Sequence, residues 1–349
     1  MAEYGIPYMG SKGNIANKVV IVFPKAENFY DLFGGGFSIT HAMIKRRSKD
    51  FKTFYFNEIK SDIVDLIKDA ICGKYNYDVF KPEWISKEDF VKRLNEPYIR
   101  ICWSFGNNQK GYMFSTEIEP YKKSMHNAIV FNQFDDLAKK VIGSTGFKEG
   151  YSIQQRRLFL RNRIEYFRLN GIPDFLIKFL NDKQQKQLQS VTGSYQLQRL
   201  EQLQQLEQLE RLQQLQQLQQ LRRLQQLQQL EQLERLQQLQ QLQQLPSVEF
   251  SSKSYDQVEI KPNSIVYCDP PYNGTGGYGS KFDTEKFLNW AHEQSEPVFI
   301  SEYNISDKRF KRIKSFAKRS MLSSQKDIYK VMSENIYINK AAQDKFLGG

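Results

Sequence analysis

The stretch NFYDLFGGGFSITHAMIKRRSKDFKTFYFNEI, Asn28 to Ile59, decides the fold. A short apolar run ends in Asp31, three glycines follow at Gly34, Gly35 and Gly36, and a residue run of helical character leads to the aromatic stretch TFYFN beside Glu58. Strand, Gly-rich turn, helix and strand within about thirty residues is the βαβ unit of a parallel sheet. Beyond it Ile59, Ile63, Leu66, Ile67 and Ile71 recur at helical spacing and predict a further helix. The chain therefore reads as α/β, and open α/β sheets bind ligands at the carboxyl edge of their strands.

Glycine lets backbone approach a ligand closely, and the helix N-terminus that follows favours polar or anionic groups. The turn is neither GxGxxG nor a P-loop with Lys-Ser/Thr. Glu58 lies 22 residues past Gly36, about where an acidic side chain reaches ribose hydroxyls in nucleoside-binding sheets. This combination points to a cofactor that carries a nucleoside without a mandatory phosphate clamp. A Gly-rich turn used for packing alone has the same local sequence.

A second stretch, VYCDPPYNGTGGYG from Val266 to Gly279, supplies chemistry. Pro270 and Pro271 cannot donate to a sheet ladder, so SIVYC is a strand that ends before them and leaves Asp269 at its carboxyl edge. The exocyclic amine of a nucleobase is a poor nucleophile because its lone pair is delocalised into the ring. The Asp269 carboxylate and a Pro270 carbonyl held rigid by Pro271 would accept its hydrogens and draw the nitrogen toward an attacking geometry. Tyr272 offers a flat face for an extruded base. Asp-Pro-Pro alone is equally an ordinary strand-ending turn. Gly274, Gly276, Gly277 and Gly279 are expected to form a loop that opens for such a base and closes over it.

Composition narrows the partner. The 349 residues carry a net charge of +11, which favours a polyanion because each neutralised phosphate releases condensed counterions. Cys72, Cys102 and Cys268 are few, odd in number and unpatterned, as in a reducing cytoplasm. No apolar stretch is long enough to span a membrane, so the chain is expected to be soluble and cytoplasmic. His41, His126 and His292 are scattered away from Cys and carboxylates, so no metal is expected.

Residues 196–245 are different in kind. Seventeen leucines, Leu197 to Leu245, fall at every third position, and residues 206–221 recur identically as 230–245. On an α-helix such leucines retreat by about 60° each, so they wind around the rod. A coiled coil needs an average spacing of 3.5, and 3₁₀ helices are rarely longer than a few residues. The helix-forming composition favours an α-helical rod or hairpin, with a compact solenoid as the alternative, and Pro246 ends the repeat. A tolerated expansion with no role in chemistry is the bland reading, and removal of residues 197–244 is then expected to leave cofactor binding intact. Self-association through the leucines is the sharper one.

PYMGSKGNI, YDLFGGGFS, FNEIKSD and YCDPPY, in that order, resemble the Dam-type adenine-N6 DNA methyltransferases of bacteria and their phages. The resemblance covers roughly residues 4–72 and 247–305. It implies S-adenosylmethionine as methyl donor, a Rossmann-like seven-stranded sheet and a target-recognition domain inserted before the DPPY strand. Carried over, Tyr8 and Lys12 contact the cofactor with Gly10 allowing close approach. Asp31, Phe33, Gly34 and Gly36 cradle its methionine part, Glu58 holds its ribose where the family often has Asp, and Asp269, Pro270, Pro271 and Tyr272 form the catalytic tetrad. FISEYN, Phe299 to Asn304, resembles a later strand of the family.

The domain reading is catalytic residues 1–72, a mostly helical DNA-binding insert at 73–195, the repeat at 196–245, and a second catalytic part at 246–349. Within the insert, Asn107, Asn108, Gln109, Lys110 and Tyr112 suit base edges and phosphates, although GNNQKG is also an ordinary turn. Arg156, Arg157, Arg161 and Arg163, and separately Lys308, Arg309, Lys311, Arg312 and Lys314, are candidate phosphate contacts or solvated helix faces. The reading is a site-specific methyltransferase acting on adenine N6 in duplex DNA, by direct attack on the methyl group after base flipping. Two alternatives stand beside it: an amine methyltransferase acting on RNA or protein, and a DNA-binding scaffold organised by the repeat.

Overall fold

A computed structural model describes residues 4–171, 173–177, 179, 227–244, 247–271, 282–319 and 331–347. The chain divides into two compact units, Met1–Tyr75 with Glu234–Gly349, and Asn76–Leu233.

The first unit is built on a seven-stranded sheet. Its strands are β1 (Asn28–Asp31), β2 (Thr53–Asn57), β3 (Val248–Ser251), β4 (Ser264–Cys268), β5 (Val298–Glu302), β6 (Lys311–Arg319) and β7 (Val331–Ile338), in the order β3-β2-β1-β4-β5-β7-β6. Strands β1 to β5 pair in parallel, and β7 runs antiparallel to both β5 and β6. Every residue of β1 and β4 is buried, as a parallel sheet covered on both faces requires. Side chains alternate between the faces. On one side Phe29, Tyr267 and Phe299 surround Phe23, with ring centroids 5.2–5.5 Å from it. On the other, Tyr30, Val266 and Ile300 pack with Phe287 and Ala291 of the helix Thr284–Glu293.

Strand register decides where the chemistry falls. Asp31 is level with Phe56 of β2 and Tyr267 of β4. Glu58 and Asp269 each follow two residues later, so three acids reach one carboxyl edge. The edge lies between β1 and β4, where the direction of chain progression across the sheet reverses. That switch point is where open α/β sheets hold ligands.

The helix after β2 runs Ser61–Ile71 and buries Ile63, Val64, Leu66, Ile67 and Ala70. Ile59 does not join that face. It precedes the helix, 67% exposed, because the chain is still turning away from the end of β2.

The second unit contains the helices Lys87–Lys92, Pro97–Cys102, Glu119–Phe131, Asp136–Ile142 and Ile153–Asn170. Three start on sequence-encoded caps: Ser86, Asp135 and Ser152 accept from the backbone of Asp89, Ala138 and Gln155, and Gln155 returns the bond to Ser152. Trp103, Tyr121, Met125 and Ile164 are among its buried residues.

The described end of the repeat is an α-helix, Gln228–Gln238, followed by a 3₁₀ helix, Leu239–Gln244. Leu227, Leu230, Leu233, Leu236, Leu239 and Leu242 are all at most 5% exposed. Leucines on the α-helix sweep around its axis, and those on the 3₁₀ turn stack on one face, so the change of helix type keeps a strict period of three buried. The first three leucines belong to one unit and the last three to the other. Residues 196–226 and Leu245 lie outside the described residues.

Candidate active site

The carboxyl edge of β1, β2 and β4 opens into a cavity of about 320 Å³. Tyr8, Gly10, Lys12, Asp31, Phe33, Gly34, Gly36, Glu58 and Asp269 all line it, together with Pro271. Pro270 is buried immediately beside them. Tyr272 and the glycines from Gly274 to Gly279 lie outside the described residues.

The glycine turn is shaped by close approach. A Cβ on Gly34 would lie 2.0 Å from the Phe56 ring, and one on Gly36 would lie 2.5 Å from Tyr8 Cβ. Gly35 donates its N–H to Glu58 Oε2 at 2.9 Å, and Lys60 donates to Oε1 at 3.2 Å. Burial raises the Glu58 pKa, and these two backbone bonds oppose the rise. Asn57 braces the site from below: its Nδ2 donates to the carbonyls of Leu32 and Lys253, and its Oδ1 accepts from Ser251 Oγ and Lys253 N–H. The ends of β1, β2 and β3 are thereby tied through one amide.

Asp31 is 1% exposed and accepts from Thr40 Oγ1 at 2.7 Å. Burial pushes its pKa up to about 7, and the Thr40 bond only partly offsets this. A cation entering the cavity would favour the ionised form.

Lys12 joins the two ends of the site. Its Nζ lies 2.9 Å from Asp269 Oδ1 and 3.3 Å from Glu334 Oε1. Glu334, on β7, is fully buried and also accepts from Ser301 Oγ of β5 at 2.6 Å. Burial works to lower the Lys12 pKa, but the two carboxylates outweigh it and the net shift is upward. Ser301, within the FISEYN stretch, is thus bonded to Glu334, the second partner of Lys12. Glu302, next to it, is pushed up to about 7 by burial.

An aromatic wall completes the cavity. Phe33 stacks on Tyr255 at 5.4 Å and meets Phe282 edge-on at 5.8 Å, and all three line the cavity. Tyr255, Phe282, Asn57 and Glu334 are the contributors that sequence reasoning missed. Asn57 stands inside FNEIKSD but was not singled out there; Tyr255, Phe282 and Glu334 sit in no motif and arrive by strand order and by the segments after β3 and before the helix Thr284–Glu293.

The candidate nucleic-acid residues of the second unit divide by what they touch. Ser104 and Tyr112 form a β-bridge closing the turn that contains Asn107, Asn108 and Lys110. Asn108 Oδ1 accepts from the N–H groups of Lys110 and Gly111, while Tyr112 donates its hydroxyl to the Ile85 carbonyl at 2.7 Å. Arg156 donates to the Ile129 carbonyl, Arg157 lies 3.7 Å from Glu231, and Arg163 donates to the Val141 carbonyl while packing over Phe167. Lys110 and Arg161 are exposed. In the other basic cluster Arg309 pairs with Asp307, while Lys311, Arg312 and Lys314 are exposed along β6.

Among the described residues no group of His, Cys, Asp and Glu could hold a metal ion, and no helix is long and apolar enough to cross a membrane. Cys268 is fully buried inside β4, and burial raises its thiol pKa well above the ordinary value.

A family model described as D12 class N6 adenine-specific DNA methyltransferase matches residues 8–343. The curated proteins gave no match.

Proposed function

The chain belongs to the D12 class of N6 adenine-specific DNA methyltransferases, and from that premise we propose that the cavity at the edge of β1, β2 and β4 holds S-adenosylmethionine beside a flipped adenine. The observation that carries the reading is the convergence of Asp31, Glu58 and Asp269 on that single cavity. Its volume is at the lower end of the roughly 300–1,000 Å³ typical of small-molecule sites. Its acids suit a cationic donor, and its glycine turn leaves room only for backbone.

When bound, S-adenosylmethionine supplies an electrophilic methyl group on a sulfonium sulfur. Glu58, anchored by two backbone N–H groups, would accept from the ribose hydroxyls. Asp31 and the Gly34–Gly36 turn would hold the methionine part, and the Phe33–Tyr255 wall would cover apolar surface. Asp269 and the Pro270 carbonyl would accept the two hydrogens of adenine N6, concentrating its lone pair on nitrogen and orienting it for attack. Lys12 fixes the Asp269 carboxylate in that orientation. Tyr272 is the stacking face for the flipped base. Transfer would be direct, with no covalent step on Cys268, which is fully buried inside β4.

Lys110 and Arg161 of the second unit are the exposed candidates for phosphate contact, and Asn107 for base contact. The substrate is duplex DNA, in the cytoplasm of a bacterial or phage-infected cell. Methyl-labelled donor given with duplex DNA and, separately, with structured RNA tests the reading. Label should appear in N6-methyladenine from the duplex, and labelling confined to RNA would overturn it.

A further inference from the structure

Arg235, in the final turns of the leucine repeat, reaches the segment that carries the cavity wall. Its Nη2 donates to the Ile6 carbonyl at 3.0 Å, with the Tyr4 carbonyl at 3.5 Å. The Ile6 N–H in turn donates to the Gly36 carbonyl at 2.8 Å. The stretch from Tyr4 to Tyr8 is thus clasped between the glycine turn and the repeat. The clasp is tight: Gly5 has φ +73°, and a Cβ there would lie 2.3 Å from the Gly36 carbonyl oxygen. Tyr8, Gly10 and Lys12 follow directly and line the cavity. Arg235 is itself held in register, since Leu236 and Leu239 are fully buried and Gln237 donates to the Tyr75 carbonyl at 2.6 Å.

We propose that Arg235 is a positioning residue for the methyl-donor site. It fixes the Tyr4–Tyr8 backbone that presents Tyr8, Gly10 and Lys12, so the end of the repeat is a working part of the enzyme. On this proposal, removing residues 197–244 would weaken cofactor binding rather than leave it intact. This inference rests on the cavity being the S-adenosylmethionine site.

The repeat provides its own control. Residues 203–221 are identical to residues 227–245. A chain lacking residues 206–229 therefore rebuilds the same run, Leu-Gln-Gln-Leu-Glu-Gln-Leu-Glu-Arg, leading into Pro246.

The test compares the wild-type chain, Arg235→Gln, Arg235→Lys and the 206–229 deletion, reading donor affinity by calorimetry, KM and kcat for methylation, and the thermal midpoint. Arg235→Gln should raise Kd and KM for S-adenosylmethionine about tenfold, the effect of losing one charge-assisted hydrogen bond that orients a binding loop. Its kcat at saturating donor should stay within about twofold. Arg235→Lys should recover part of the affinity, and the deletion should bind like wild type. A lower thermal midpoint with unchanged Kd in Arg235→Gln would make the residue merely structural and overturn the inference. Weakened binding in the deletion, which keeps the clasp, would overturn it as well. If Arg235→Gln does not fold, Arg235→Lys carries the same comparison. A wild-type chain that binds no donor would instead remove the reading of the cavity.

Discussion

Lys12 Nζ lies 2.9 Å from Asp269 Oδ1, and the lysine side chain is only 3% exposed. One cation is thus shared between an acid at the cavity and a buried acid, Glu334, on the antiparallel strand β7. The parallel half of the sheet presents Asp269, and the antiparallel half holds the counter-charge that keeps Lys12 in place. Breaking a buried pair on one side leaves an uncompensated charge, at about 3–5 kcal/mol.

Lys12→Gln should therefore lower the single-turnover methylation rate about a hundredfold or more, through loss of the oriented carboxylate. Glu334→Gln should cost less, because its amide oxygen still accepts from Ser301. Equal rates for Lys12→Gln and wild type, measured at saturating donor, would show that the pair is irrelevant to catalysis.

Asp31 predicts a pH dependence. Its pKa in the folded chain is raised from 3.8 to about 7, so the folded state holds a proton there that the unfolded chain has released. Stability consequently falls as pH rises between these values and levels off above them. A cationic donor binds the ionised form, so its Kd should drop between about pH 6 and about pH 8. Asp31→Asn should stabilise the empty protein near pH 8 by about 1–4 kcal/mol while weakening donor binding. Calorimetric titrations across that range check both signs, and a flat Kd would contradict the assignment.

Gly34→Ala should abolish donor binding or the fold itself, since its Cβ would meet the Phe56 ring at 2.0 Å. Gly35→Ala has its nearest neighbour at 3.4 Å and meets mainly the strain of φ +48°, about 1 kcal/mol. Thermal melts and donor titrations of the two variants should rank Gly34 as the more severe.

Leu236→Ala should destabilise the first unit by about 2–5 kcal/mol, the usual effect of truncating a fully buried leucine. Denaturant unfolding measures this. A change under about 0.5 kcal/mol, typical of surface positions, would mean that the repeat is not part of the core.

Arg161→Gln and Arg163→Gln separate contact from packing. The exposed Arg161 should reduce DNA affinity and the salt slope by about one unit. Arg163, bonded to the Val141 carbonyl and packed over Phe167, should lower stability instead. Binding measured from low to moderate salt distinguishes them, and a reversed pattern would move the DNA face elsewhere.

The βαβ unit and the strand ending at Cys268 were legible because periodicity and proline placement are local. The cavity residues in YDLFGGGFS and DPPY were legible because backbone approach and edge position demand those residue types, whereas Tyr8, Gly10 and Lys12 were legible only through the resemblance of PYMGSKGNI. Glu334 and Tyr255 were not legible, since their roles follow from strand order, which no local pattern encodes, and Asn57, although inside FNEIKSD, shows its bracing role only once β1 and β3 flank β2. Ile59 was misjudged because helical spacing extends past the point where the chain turns. The described end of the repeat combines two of the geometries weighed for it. A period of three fits no single helix type, yet a passage from α to 3₁₀ buries six successive leucines. The arginines of the insert show the converse limit, because a run of like charges does not reveal which members pack inward.

Asp269, held by Lys12 and lining the cavity, is proposed to activate adenine N6. The most direct measurement compares wild type with Asp269→Ala for donor binding by calorimetry and for N6-methyladenine formed in duplex DNA, quantified by mass spectrometry of released nucleosides. Wild type should form N6-methyladenine, and Asp269→Ala should still bind S-adenosylmethionine while its methylation falls about a thousandfold. Undiminished methylation by Asp269→Ala would contradict it.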